Sequence, residues 1–142
     1  MTNKIIFVLA NIGLLVSLYL LWTYVSGAPI VCSSGGCEVV RASPYSHLFG
    51  IPLPVFGVIF YIVIIIFSLL VGIWQHFPDN KIKRIILIVA FFGFVYSVYL
   101  TYLEAFVIHG FCDWCMASAI ISALIFVLSI GENFYGKILK FR

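Results

Sequence analysis

Four long apolar stretches constrain this chain more than anything else in it. They run from about Lys4 to Val25, Pro54 to Gln75, Ile82 to Val107 and Cys112 to Ile130. A helix needs about 20 predominantly apolar residues to cross the hydrocarbon core of a bilayer. In lipid, backbone N–H and C=O groups have no water to bond, so each spanning segment must satisfy them internally as a helix. The sequence therefore predicts an all-α polytopic membrane protein, a bundle of four transmembrane helices in a single domain over residues 1–142. Hydrophobic residues make up 64% of the chain and charged residues 9%, too little polar surface for a soluble domain. The net charge of +3 is small, and nothing in it suggests a nucleic-acid partner.

Lys4 ahead of an apolar run resembles the start of a signal peptide, with "SGAP" (Ser26 to Pro29) as the nearest cleavage candidate. The run from Ile5 to Val25 is too long for a typical signal core, so it reads as a span. Between the second and third spans, "HFPDNKIKR" (His76 to Arg84) reads as a short polar turn around Pro78, Asp79 and Asn80. The loop from about Ser26 to Leu53 is long. It carries two cysteines, Gly35-Gly36, and "SPYSHLFGIP", whose mix of Tyr45, Leu48, Phe49 and Ile51 with Ser46 and His47 fits an interfacial helix as well as a plain loop.

Lysine and arginine set the orientation. With the N-terminus in the cytoplasm, Lys4, Lys81, Lys83, Arg84, Lys137, Lys140 and Arg142 all fall inside, and only Arg41 falls outside. Both termini are then cytoplasmic in the cell membrane. Cys32 and Cys37 in the first loop, and Cys112 and Cys115 at the start of the fourth helix, all lie on the extracytoplasmic face, where disulfides persist.

Position gives the second pair its chemistry. Unpaired N–H groups and the positive end of the helix dipole favour a thiolate at Cys112. Cys115 follows on the same face, about a turn deeper and nearer lipid-soluble chemistry. C-x4-C with C-x2-C also fits a structural zinc site, and two static disulfides are a further reading. A static bridge gives no reason to put one pair where a helix start activates it. Phe56 and Phe60 lie a turn apart on the second helix and Leu100 lies on the third; apolar and aromatic walls of this kind suit an apolar ligand, or simply packing. Glu104 is an ionisable group within a span, a candidate proton relay or an interfacial residue. His47, His76 and His109 fall in or beside loops and read as surface histidines.

"CSSGGCEVVRASPYSHLFGIPLPVFGVIFY", then "SVYL", then "FCDWC" at a helix start, resembles the vitamin K epoxide reductase (VKOR) family. The resemblance runs from Cys32 to the fourth helix. It implies a four-helix bundle around a quinone, whether menaquinone, ubiquinone or a vitamin K-like ring, with Phe56, Phe60, Leu100 and Glu104 as the candidate pocket residues. Many bacterial members carry a fused thioredoxin-like domain. The expectation here is a bacterial or archaeal type without one, served by a separate thioredoxin-fold, DsbA-like protein. The resemblance implies a relay in which the partner's thiolate attacks a Cys32–Cys37 disulfide at Cys32. Cys37 then attacks a second disulfide at Cys112, and Cys115 passes electrons to the quinone. Gly35 and Gly36 would let the loop move. Ser43 matches a family serine that orients the loop or assists proton transfer; a helix cap or turn is the other reading.

One departure matters. Vertebrate vitamin K enzymes are expected to bind the quinone oxygens through an asparagine and a tyrosine, and the matching positions here are Leu53 and Ala119. Neither side chain can hydrogen-bond. Oxidation of protein thiols in support of disulfide formation, with a respiratory quinone as acceptor, is therefore the leading expectation. Reduction of a vitamin K quinone or epoxide is the reverse-sense alternative, and a non-enzymatic membrane subunit with structural disulfides or zinc is the rival from another class. DsbB-type thiol oxidases use similar parts, but with the C-x-x-C in the first loop; the order here is reversed.

Overall fold

A computed structural model describes residues 2–73 and 79–140 of the chain. Four long helices dominate it: α1 (Thr2–Ser26), α3 (Leu53–Ile73), α4 (Asp79–Tyr102) and α5 (Asp113–Lys140). A shorter helix, α2 (Gly36–Ala42), lies in the first loop, and a π-helical turn over Leu103–Ile108 prolongs α4. Each long helix contains a segment long and apolar enough to cross a membrane. The all-α, four-span architecture is thus as the apolar stretches require.

The helices form a ring in which α1 packs on α3 and α5, and α4 packs on α5 and α3. Its inner seam holds Ile6, Ala10, Tyr61, Ile64, Ile86, Ala90 and Ile125. Serines and a threonine are buried too: Ser17, Thr23, Ser68, Ser122 and Ser129. The hydroxyls of Thr23, Ser68, Ser122 and Ser129 bond to carbonyls of the preceding turn or to a neighbouring helix. Ser97 and Ser122 meet at 2.8 Å across α4 and α5, and Ser68 meets the Asn3 side chain at 2.9 Å across α1 and α3. Small residues inside and large apolar residues outside are what lipid selects, because tails reward no hydrophobic burial between helices.

Two span limits differ from the sequence reading. Asp79 and Asn80 open α4 instead of forming a turn before it, as suits residues that favour helix starts. Gln75, His76 and Pro78 lie outside the described residues. The fourth helix does not stop near Ile130 but continues to Lys140. Gly131 and polar Glu132 mark the end of the apolar run, yet nothing there breaks a helix. The Asn133 amide donates to the Lys83 carbonyl at 3.1 Å and so ties this extension to the start of α4.

The first loop also differs. The stretch after Ser43 is not a helix: it is a single 3-10 turn (Pro44–Ser46) followed by a two-residue hairpin, β1 (His47–Leu48) with β2 (Ile51–Pro52). His47 pairs with Pro52 and Leu48 with Ile51. Phe49 and Gly50 both take positive φ, the conformation a tight hairpin turn demands and a helix forbids. Phe49 is 94% exposed at the tip.

Candidate active site

All four cysteines gather at one end of the bundle. Cys32 and Cys37 are joined as a disulfide, and Cys112 and Cys115 are free thiols. Cys37 and Cys112 sit with Leu20, Ile30 and Val40 in one buried cluster, with Cys32 and Cys115 against its edges. Exposure grades them: Cys37 is 1% exposed and Cys112 2%, while Cys32 and Cys115 are only partly buried.

The sequence brings the pairs together through α2. Val40, three residues after Cys37, shares its buried face, so one short helix seats both in the cluster. Gly35 takes φ 70° at the start of α2, a left-handed geometry that suits glycine. Gly36 serves a different purpose from the freedom expected of it. A Cβ there would collide with the Phe111 backbone, so glycine is what lets α2 reach the segment leading to Cys112.

Arg41, the exception to the charge asymmetry expected from the sequence, is fully engaged. Its guanidinium donates to the Ala28 carbonyl at 2.7 Å and the Thr23 carbonyl at 3.3 Å, and pairs with Glu38 at 2.6 Å. Glu38 in turn accepts the Ile30 N–H at 2.9 Å. A cation at the last turn of α1 also meets the negative end of that helix. Ser43 lies at the end of α2, where its hydroxyl donates to the Val40 carbonyl at 2.7 Å. It is a turn-closing hydroxyl there, and it is not among the residues that line the cavity below.

Cys112 immediately precedes α5. Its Sγ accepts the Cys115 N–H at 3.3 Å, and its carbonyl accepts the Met116 N–H at 2.9 Å. The sulfur therefore occupies the place of a capping oxygen. Hydrogen bonding from the Cys115 thiol, helped by the N–H groups of Cys115 and Trp114, holds the Cys112 thiol below its ordinary range, against burial and the Glu104 charge. Glu104 is 3% exposed, buried within the bundle. It stands at the second position of the π turn, and its carboxylate accepts the Cys112 N–H at 3.3 Å. The left-handed His109 (φ 55°) and Gly110 close that turn by donating their N–H groups to the Glu104 carbonyl.

Below the cysteines a cavity of about 350 Å³ opens among α1, α3, α4 and α5. Phe56, Phe60, Leu100 and Glu104 all line it, as does Cys115. Its size falls in the range of small-molecule sites. Among the lining residues that sequence reasoning missed is Tyr96. Its hydroxyl is buried and, among the described residues, is the only buried side-chain polar atom without a hydrogen-bond partner. A buried hydroxyl left unpaired costs about 1–3 kcal/mol, so a ligand with an acceptor oxygen is favoured there. The Tyr96 ring lies 6.2 Å from that of Phe56. By contrast, Tyr61 on the same cavity wall bonds Ser118 Oγ at 2.8 Å. Leu53 and Ala119 line the cavity as well and bring no side-chain donor. An aromatic-walled space with one unsatisfied donor beside a thiol fits a quinone ring.

The sequence profile of the vitamin K epoxide reductase family matches residues 4–130, nearly the whole bundle and both cysteine pairs. The chain belongs to this family. VKOR proteins are membrane oxidoreductases that act on thiols and quinones, and this VKOR chain shares the parts such chemistry needs: four apolar helices, a loop disulfide and a second cysteine pair beside the cavity.

Proposed function

We propose that the chain is a single VKOR-like unit that oxidises a separate thioredoxin-fold, DsbA-like protein and delivers the electrons to a membrane quinone, in support of disulfide formation. The observation that carries this reading is the order of the sulfurs: a partly exposed disulfide, two buried cysteines in one cluster, then Cys115 on the wall of an apolar cavity. In this reading the cysteines face the extracytoplasmic side, both termini are cytoplasmic, and Cys32, Cys37, Cys112 and Cys115 carry the exchange.

The partner's thiolate attacks Cys32, the more exposed sulfur of the loop bridge, and Cys37 leaves as a thiolate. The partner's second thiol then releases Cys32 and the partner departs oxidised. Cys37 attacks Cys112 of a Cys112–Cys115 disulfide, and Cys115 leaves. Cys32 recloses the loop on Cys37, which frees Cys112. The net result is a Cys112–Cys115 dithiol that holds two electrons and two protons. A quinone bound in the cavity supplies the capacity to accept both. Tyr96 would donate to a carbonyl oxygen, Phe56, Phe60 and Leu100 would wall the ring, and Glu104 would hold a proton near Cys115. Ser43 keeps the end of α2 closed through these changes. The lack of donors at Leu53 and Ala119 favours this sense over vitamin K epoxide reduction.

The test uses purified protein with a reduced thioredoxin-fold protein and a soluble quinone analogue, followed by quinone absorbance. Wild type consumes quinone and Cys115→Ser does not. Tyr96→Phe turns over with a quinone KM raised about fivefold, the worth of one hydrogen bond. Full turnover by Cys115→Ser, or no turnover by wild type with several quinones and partners, overturns the reading.

A further inference from the structure

The two residues inside the C-x-x-C grip the loop that carries the other pair. Asp113 Oδ2 accepts the Ser33 N–H at 2.7 Å and the Ser34 N–H at 3.3 Å. Trp114 Nε1 donates to the Val31 carbonyl at 2.6 Å. These contacts fall on both sides of Cys32. Tyr19 braces the arrangement: its ring lies 4.8 Å from that of Trp114, and its hydroxyl accepts the Val31 N–H at 3.2 Å.

Ser33 and Ser34 are inside the small ring that the Cys32–Cys37 bridge closes. With the bridge in place their N–H groups are already ordered for one carboxylate oxygen. With the bridge open, that ordering must be paid in backbone entropy. The clamp therefore binds the closed loop better than the open one, and it is seen on a closed loop above a reduced C-x-x-C pair.

We propose that Asp113 and Trp114 are positioning residues that bias the internal redox equilibrium, holding the loop shut as a disulfide and so driving the electron pair onto Cys112 and Cys115. The inference rests on the relay proposed above. In the step it governs, Cys37 thiolate attacks Cys112, the Cys112–Cys115 bond breaks, and Cys115 leaves. Cys32 thiolate then attacks Cys37, the Cys32–Cys37 bond forms, and Cys112 leaves. Two electrons and two protons pass from the loop pair to the C-x-x-C pair, with no outside oxidant. Binding the closed loop pulls this exchange forward before any quinone is involved.

The experiment loads fully oxidised protein, free of quinone and partner, with one equivalent of dithiothreitol. After equilibration it is acid-quenched, and free thiols are alkylated and mapped by mass spectrometry. Wild type carries its thiols mainly on Cys112 and Cys115. Asp113→Ala, and Trp114→Phe, which keeps the ring on Tyr19 but loses the N–H, each raise the ratio of loop thiols to C-x-x-C thiols about three- to tenfold. Asp113→Asn keeps a carbonyl acceptor and restores most of the wild-type ratio. Ratios equal to wild type in both Asp113→Ala and Trp114→Phe overturn the clamp while leaving the relay standing. Wild-type thiols found only on Cys32 and Cys37 overturn the relay itself.

Discussion

Cys112 shows how much one position on a helix decides. As the residue before the first turn of α5, it meets the N–H of Cys115, which no carbonyl of the helix can reach. Its thiol is held low chiefly by the Cys115 thiol, with Glu104 working against it. In the reduced protein, peptide-resolved alkylation with a small reagent should give a Cys112 midpoint below the ordinary thiol value of about 8.5. Glu104→Gln removes the opposing charge, so the midpoint should fall further; a rise in that variant would contradict the geometry. Spacing and helix position made the cysteines legible in the sequence, and the phenylalanines followed from their periodicity. Tyr96 was not legible. It is one of eight tyrosines, and what distinguishes it is a missing partner, a property of the packed bundle alone.

At the scale of elements, hydropathy made the four long helices readable, because lipid leaves the backbone no alternative over such lengths. Their limits were less readable. Apolar character ends where the bilayer ends, whereas the backbone of α5 runs on to Lys140. The π turn at Leu103 has no sequence signature, yet it is where α4 delivers Glu104 to Cys112. Seven-residue α2 is too short for periodicity to show, and its contact depends on Gly36. Gly36→Ala places a methyl against the Phe111 backbone, which cannot move aside as a side chain could. We expect a loss of about 1–3 kcal/mol in the docking of the loop. Maleimide labelling of Cys37 and Cys112 in the reduced variant should be correspondingly faster than in wild type; unchanged labelling would show that the approach is not required.

As a whole the molecule is polar at its ends and apolar around its girth. Lys4, Lys81, Lys83, Arg84 and Lys137 belong to the end where α1 and α4 begin and α5 finishes. Arg41 stands at the opposite end, offset by Glu38 and bound to carbonyls, so it reads poorly as a free positive charge. In the proposed orientation, that balance accounts for the one exception to the charge rule. In a version with the native cysteines replaced by serine, Phe49→Cys at the hairpin tip should label from outside intact cells. Lys137→Cys should label only after permeabilisation. The reverse pattern would invert the proposed orientation.

The near-complete burial of Cys37 and Cys112 has a consequence for fidelity. In the proposed relay a dissolved peroxide or a stray thiol would meet Cys32 at one terminus of the path, and a lipid-soluble acceptor would meet Cys115 at the other. Between them the sulfurs are insulated like the core of a cable. Current can enter and leave only at the terminals, and the middle is shielded from wrong bridges with passing proteins.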